Sequence, residues 1–201
     1  HLISVISDYY IDEIIGFPSN RIFYLFDLDK ERNFPTAYAG IMIFFSSIIL
    51  FILGKISKKR KDKFKFYFLS SIFFFLGWDE LFLIHETLGL PVRSALKTSG
   101  YFHHAWILPY GVIVILLAFI FARFILSFPK NIRNQIFIAG FVYIFGELIL
   151  EAFSGNLVSL NWPNGRPDFW SYTIFSTLEE ILGLIGILIF NFALLKLLKL
   201  N

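Results

Sequence analysis

The chain has 201 residues, of which 57% are hydrophobic and 16% are charged, and its formal net charge is +3. A soluble domain is typically about 45–50% apolar and about 25% charged, so this composition excludes an ordinary soluble globular protein. The sequence contains no Cys, which excludes disulfides, thiolate metal sites and a Cys nucleophile. Most basic residues lie between apolar blocks, where membrane orientation explains them, and we expect no nucleic-acid partner.

Five apolar stretches of roughly 20 residues predict an all-α, polytopic transmembrane helix bundle. In chain order they are Tyr38–Ile56, Phe66–Leu88, Ala105–Phe128, Gln135–Gly155 and Tyr172–Leu198. We divide the chain into an extracytoplasmic or interfacial segment at 1–37 and a transmembrane helical domain at 38–201. The first residues resemble the end of an apolar segment, so we expect either a sixth, earlier helix or a cleaved signal peptide.

Basic residues predict how these helices are oriented. The linker from Lys55 to Lys65 is strongly basic, and the positive-inside rule places it in the cytoplasm. By alternation, the C-terminal tail with Lys196 and Lys199 is also cytoplasmic, and the loops at 90–104 and 156–171 lie outside. We therefore expect a multipass protein embedded in the lipid bilayer of a bacterial cytoplasmic (inner) membrane, with its C-terminus in the cytoplasm.

Ionisable side chains lie within or at the entrance of four of the apolar stretches. Inserting such a group into hydrocarbon raises the free energy by about 3 kcal/mol or more, so these residues usually face the bundle interior and mark a site. With the topology above, all of them fall in the extracytoplasmic halves of their helices. They are Asp79, Glu80, His85, Glu86, His103, His104, Glu147, Glu151, Glu179 and Glu180. We therefore expect one polar cavity that opens towards the outer surface.

Helical geometry predicts which of these side chains share a face. Asp79 and Glu86 are seven residues apart, so an unbroken helix would place them on one face. Adjacent Glu179 and Glu180 diverge, and we favour Glu180 as the inward-facing residue. The segment Asn33-Phe34-Pro35-Thr36 predicts a helix start, because Pro suits the first turn. We expect the acidic residues before it to cover the mouth of the cavity.

So many carboxylates close together need either protons or a cation, because no Lys or Arg falls in the outer halves of these helices. Carboxylates combined with imidazoles suit iron, manganese or zinc, and haem is a further alternative. The candidate metal ligands are Glu80, His85, Glu86, His103, His104, Glu151 and Glu180. The candidate catalytic residues are Asp79, Glu80, Glu86 and Glu147. The paired Glu-x-x-His signature of helical di-iron bundles is absent, so a di-metal centre is only an analogy.

Several blocks of the sequence stand out as a set. They are Phe26-Asp27-Leu28-Asp29 with Glu31, Asn33, Pro35 and Thr36; Asp79-Glu80 followed by Ile84-His85-Glu86; Glu151; and Thr177-Leu178-Glu179-Glu180 leading to Gly186. As a set they resemble an uncharacterised family of bacterial multipass membrane proteins. In the resembled pattern a further Glu follows the paired acids by one helical turn, where this chain has Gly183. The resemblance supports the choice of residues and implies no particular reaction.

Three functional hypotheses follow from these features. The first is a metal-binding membrane enzyme that acts on an apolar substrate. The second is a non-catalytic transmembrane subunit of a larger membrane complex, in which His residues bind haem or a pigment; a homo-oligomer is another assembly to consider. The third is a proton-coupled transporter that uses the carboxylates as protonation sites.

Overall fold

The computed structural model describes residues 25–28, 30–161 and 169–200. Its elements are α1 (Phe34–Ile56), α2 (Arg60–Phe82), α3 (Ile84–Leu96), a 3-10 turn (Gly100–Phe102), α4 (Ile107–Leu126), α5 (Lys130–Ile144), a π-helical segment (Phe145–Leu150), α6 (Glu151–Asn161) and α7 (Phe169–Lys199). No β-strand occurs within these ranges, so the predicted all-α helix bundle is confirmed. Most of the segment predicted at 1–37, including the start of the chain, lies outside the described residues.

Among the described residues, four helical stretches are long and apolar enough to cross a membrane. They are α1, α4, the continuous run from α5 to α6, and most of α7. Helices α2 and α3 qualify only together, as a pair bent by 80°. If this pair is one broken span, the total is five, which is the predicted number. Helices of this length and hydropathy indicate an integral membrane protein.

The second predicted span differs most from the structure. An unbroken helix was expected over Phe66–Leu88, but α2 ends at Phe82 because Leu83 adopts a left-handed conformation, with φ 54° and ψ 44°. A left-handed backbone is uncommon for residues other than Gly, Asn and Asp, so the sequence contains no signal for this break. Asp79 and Glu86 therefore lie on two different helices, and the prediction that they share one helical face is wrong.

Glycines allow the run from α5 to α6 to approach α7 closely. A Cβ atom added at Gly186 would lie 2.9 Å from the backbone nitrogen of Tyr143, and one added at Gly146 would lie 2.8 Å from the carbonyl oxygen of Glu179. Small residues at such contacts are typical of helix packing in membranes. The close approach matters for the site, because it brings the π-helical segment against the acidic turn of α7.

The hydrophobic core lies where α1, α4 and α7 end and α2 and α5 begin. We call this region the basic end, because it carries Lys55, Lys58, Lys59, Arg60, Lys130, Lys196 and Lys199. Leu53 and Leu194 are each 1% exposed there. The rings of Phe66 and Phe124 meet edge to face, with centroids 5.0 Å apart. Dispersion and close packing stabilise this end of the bundle.

Polar side chains join the helices halfway along the bundle. The hydroxyl of Ser46 on α1 donates to the amide oxygen of Asn191 on α7 at 2.7 Å. The amide nitrogen of Asn191 donates in turn to the carbonyl oxygen of Met42 at 3.0 Å. Hydrogen bonds between transmembrane helices usually contribute about 0.6–2 kcal/mol each. They fix the register of α1 against α7 between the basic end and the acidic residues.

Candidate functional site

The break between α2 and α3 is held by Asp79, which is 4% exposed. Its Oδ1 atom accepts a hydrogen bond from the backbone nitrogen of His85 at 2.6 Å. A side-chain oxygen that binds an N–H in the first turn of a helix does the work of an N-cap. Asp79, at the end of α2, therefore satisfies a backbone N–H in the first turn of α3 and ties the two helices together at the bend.

The same carboxylate also orients the His85 ring. The Nδ1 atom of His85 lies 3.3 Å from Asp79 Oδ1, and the hydroxyl of Tyr110 donates to Asp79 Oδ2 at 2.8 Å. The ring packs against Trp106, with centroids 4.7 Å apart. Because a carboxylate accepts hydrogen bonds, a neutral His85 carries its hydrogen on Nδ1 and keeps the lone pair on Nε2. A ring held in this way can act as a base or as a metal ligand.

A second carboxylate and imidazole pair forms between α6 and the start of α4. His104 Nδ1 lies 3.3 Å from Glu151 Oε1, and the indole nitrogen of Trp106 donates to the same oxygen at 3.3 Å. His104 Nε2 is buried and has no hydrogen-bond partner. A buried imidazole nitrogen without a partner is uncommon in a folded protein. Glu179 on α7 is close enough to Glu151 for the two carboxyl groups to influence each other.

His103 is oriented differently from its neighbour. Arg93 Nη1 lies 3.2 Å from His103 Nε2, and since a guanidinium only donates, the imidazole accepts and is neutral. Burial, with Arg93 and His104 beside it, lowers the pKa of His103 to about 4, and Glu151 opposes this shift. In this arrangement the Nε2 atom of His103 binds Arg93, so it is the predicted ligand least suited to a metal.

Glu147 lies on the π-helical segment, next to α7. A Cβ atom at Gly183 would collide with its Oε1 atom. The carboxylate therefore occupies the space beside Gly183, the position at which the resembled pattern has a further Glu. Glu180, Glu80 and Glu151 are all close enough to influence Glu147 electrostatically. A π-helical turn inside an α-helix is often found at functional sites.

The loop before α1 extends towards these acids. Asn33 Oδ1 accepts from the backbone nitrogen of Thr36 at 3.2 Å, with Pro35 in the first turn, which confirms the predicted helix start. Glu31 Oε2 accepts from the hydroxyl of Thr36 at 3.4 Å. Burial, followed by the Glu86 carboxylate, raises the pKa of Glu31, so the charge of Glu86 reaches Glu31.

Most of the predicted site residues lie close to one another. The charges of Glu31, His85 and Asp79 all act on the carboxyl group of Glu80. On α7, Glu179 lies close to Glu151, and the charge of Glu180 acts on Glu147. Both acids therefore belong to the site, whereas the sequence favours Glu180 alone.

Within the described ranges, no group of three His, Asp or Glu side chains is arranged to hold a metal ion. We refer to Glu31 together with Asp79, Glu80, His85, Glu86, His104, Glu147, Glu151, Glu179 and Glu180 as the candidate site, and His103 lies beside it.

Three site neighbours were not identified from the sequence. Tyr110 and Trp106 bind the two central carboxylates, and Arg93 binds His103. Tyr110 and Trp106 are four residues apart near the start of α4, a spacing that places two aromatic side chains with polar tips on one face. That spacing could have identified both residues as neighbours of the site. No feature of the sequence identifies Arg93, because its position depends on the bend at Leu83.

The chain belongs to the family described as a domain of unknown function (DUF8692), whose model matches residues 8–198. The match covers the helical bundle and every residue of the candidate site, and the description assigns no activity. No curated protein matches the chain, and no solved structure matches it.

Proposed function

We propose that this chain is a metal-binding membrane enzyme that acts on an apolar substrate at the candidate site. The observation that carries the proposal is the pairing of two imidazoles with carboxylates, His85 with Asp79 and His104 with Glu151, each at 3.3 Å. Metal-bound histidines usually donate their second ring N–H to a carboxylate, a carbonyl or water, which leaves the other nitrogen for the ion. The same pairing also orients a general base.

Iron, manganese and zinc are the ions that suit this set of donors. His85 would bind through Nε2, and Glu80 and Glu86 are the further carboxylates that influence its ring. Glu86 is exposed and Glu80 is partly exposed, so both side chains have room to rotate towards an ion. His104 Nε2, buried without a partner, is a second imidazole donor. We do not extend the proposal to haem, because His103 Nε2 already accepts from Arg93.

The density of carboxyl groups supports a bound cation. Glu147 is surrounded by the charges of Glu180, Glu80 and Glu151, and mutual repulsion between such groups must be relieved by protons or by a cation. A divalent ion would relieve it without protonating every acid, and as a Lewis acid it would polarise a substrate oxygen. The candidate catalytic acids and bases would then be Glu86 and Glu147, with Asp79 positioning His85.

Elemental analysis of protein purified in mild detergent tests the proposal. We expect near-stoichiometric iron, manganese or zinc in the wild type and its loss in His85→Ala. His103→Ala is the matched control, because the same residue type is removed beside the site while the two carboxylate and imidazole pairs remain. Equal metal content in wild type and His85→Ala would contradict the proposal, as would a wild type that binds none of the three ions. A metal-free protein with a stoichiometric partner would favour the membrane-subunit hypothesis, and proton-linked flux in vesicles would favour the transporter.

We also propose that the basic end faces the cytoplasm of a bacterial cell, with the C-terminus on that side. The excess of Lys and Arg at this end supports it, because positively charged loops are retained in the cytoplasm. A reporter that is active only in the cytoplasm, fused to the C-terminus, should give signal. A reporter that is active only after export should give none, and the reverse pattern would contradict the orientation.

A further inference from the structure

A half-open apolar cavity lies between α1, α2, α4, α5 and α7, in the membrane-spanning part of the bundle. Its volume is about 690 Å³, within the range of about 300–1,000 Å³ for sites that enclose small-molecule ligands. The side chains around it are uncharged, and Tyr143 carries the one hydroxyl group among them. We call this space the apolar cavity. A binding partner for it must be almost entirely hydrocarbon where it touches these walls.

The packing of α4 explains why the cavity exists. The buried residues of α4 are Ile107 at its start and Phe121 and Phe124 near its end. Between them, Val114 and Leu117 border the apolar cavity and are only partly buried, and Leu117 packs against the edge of the apolar core. Protein interiors are close-packed, and a gap of this size leaves its lining without contacts on one side. Hydrocarbon from the surrounding bilayer is the material that would restore those contacts.

The cavity ends just below the candidate site. Leu76 and Tyr143 line it, and each lies four residues before an acid of the site, Glu80 on α2 and Glu147 on the π-helical segment. Four residues of helix rise about 6 Å, so one helical turn separates the apolar walls from the carboxylates. Tyr143 is also close enough to Glu147 and Glu80 to be influenced by both. The molecule therefore places a polar centre at one end of an apolar cavity.

We infer that the apolar cavity binds one long hydrocarbon chain of an uncharged bilayer amphiphile and presents the polar group of that molecule to the candidate site. This inference rests on the proposed function and names its substrate class. A chain fits the uncharged walls, and a hydroxyl or ester head can hydrogen-bond to carboxyl and imidazole groups. The carboxyl groups of the site outnumber the charges that one divalent ion neutralises, and like charges disfavour an anionic head.

Photolabelling of the full chain with hexadecanol that carries a diazirine near its chain end tests the inference. The blocking variant is Gly140→Leu, because Gly140 lines the cavity and a Cβ added there meets no atom within 4 Å. The matched control is Gly111→Leu on α4, where a Cβ also meets nothing within 4 Å but which does not line the cavity. Both changes replace a helical Gly with the same residue. Ala122→Phe, from the α4 wall, is a second blocking variant if Gly140→Leu does not fold.

We expect the label on residues that line the cavity, its loss in the blocking variant and its retention in Gly111→Leu. Unlabelled hexadecanol should compete more strongly than hexadecanoate. Equal labelling of both variants, or labelling confined to bilayer-facing residues such as Val112 and Ile113, would overturn the inference. Metal content measured on the same samples separates the two proposals. Labelled protein without metal would contradict only the metal centre, and metal-bearing protein without label would contradict only the cavity.

Discussion

The basic end and the candidate site are built from the same helices but have opposite chemistry. At the basic end, Leu53 and Leu194 are almost fully buried, and aromatic rings close the core. At the candidate site, Glu80, Glu147 and Glu151 remain partly exposed although helices surround them. One bundle therefore has a dry end whose packing holds the helices together and a polar end whose packing is interrupted.

This difference indicates where stability is given up for function. Buried charge and an uncommon backbone conformation both destabilise a fold, and such features persist mainly where they serve a site. The candidate site contains the left-handed Leu83, the π-helical segment and the closely spaced acids. The basic end contains none of these. Substitutions at the two ends should therefore separate changes in stability from changes in site chemistry.

The largest effect on stability is expected from Leu53→Ala, at the basic end. Leu53 is 1% exposed, and removing a buried Leu side chain typically lowers the free energy of unfolding by about 2–5 kcal/mol. Thermal unfolding in detergent should show a large fall in Tm, while the folded variant keeps its metal content. Leu116→Ala is the control, because Leu116 is 55% exposed. Similar losses in both variants would show that this end is not the stabilising core.

A smaller loss is expected from Gly186→Ala, which forces apart α5 and α7. The added Cβ atom would lie 2.8 Å from Tyr143 Cβ and 2.9 Å from its backbone nitrogen, and overpacking of this kind costs about 1–3 kcal/mol. Gly140→Ala is the control, because its Cβ atom meets nothing within 4 Å and Ala favours helix over Gly by up to about 1 kcal/mol. Thermal unfolding should begin at a lower temperature in Gly186→Ala but not in Gly140→Ala. An unchanged Tm would mean that the helices have room to separate.

Asp79→Asn should affect the site more than the fold. The amide keeps one oxygen that can accept from His85 but removes the negative charge of the carboxylate and the second acceptor, which binds Tyr110. Loss of a carboxylate partner of a metal-binding imidazole usually weakens metal binding about 10–100-fold. Titration with each metal ion should reveal the weaker affinity. Asp62→Asn, in the first turn of α2, is the matched control and should bind as the wild type does. Wild-type affinity in Asp79→Asn would show that His85 does not depend on this carboxylate.

The smallest expected effect is a change in the pH dependence of stability at His103. Its pKa is about 4 in the folded chain and about 6.5 when unfolded, so the unfolded state binds more protons between these values. Stability should therefore fall as the pH is lowered from about 6.5 to about 4. His103→Gln keeps a hydrogen-bond acceptor for Arg93 and should reduce this fall. A pH profile of Tm that matches the wild type would contradict the role assigned to His103.

The fold could be predicted from the sequence further than the site could. Long apolar stretches predict the spanning helices, and Asn33 with Pro35 predicts the start of α1, because both signals are local. The bend at Leu83 was missed, since tertiary contacts of Asp79 stabilise a conformation that Leu rarely adopts. That bend decides where His85 and Glu86 point. The residues of the site were therefore predictable, but their partners were not.

The most direct test is the shift in Tm that a metal ion produces in the purified protein. A ligand that binds the folded state alone raises the apparent stability in proportion to the logarithm of its concentration. We predict that iron(II), manganese(II) or zinc(II) raises the Tm of the wild type and of His103→Ala but leaves His85→Ala unchanged. Equal shifts in all three proteins, or no shift in the wild type with any of these ions, would contradict a metal centre at His85.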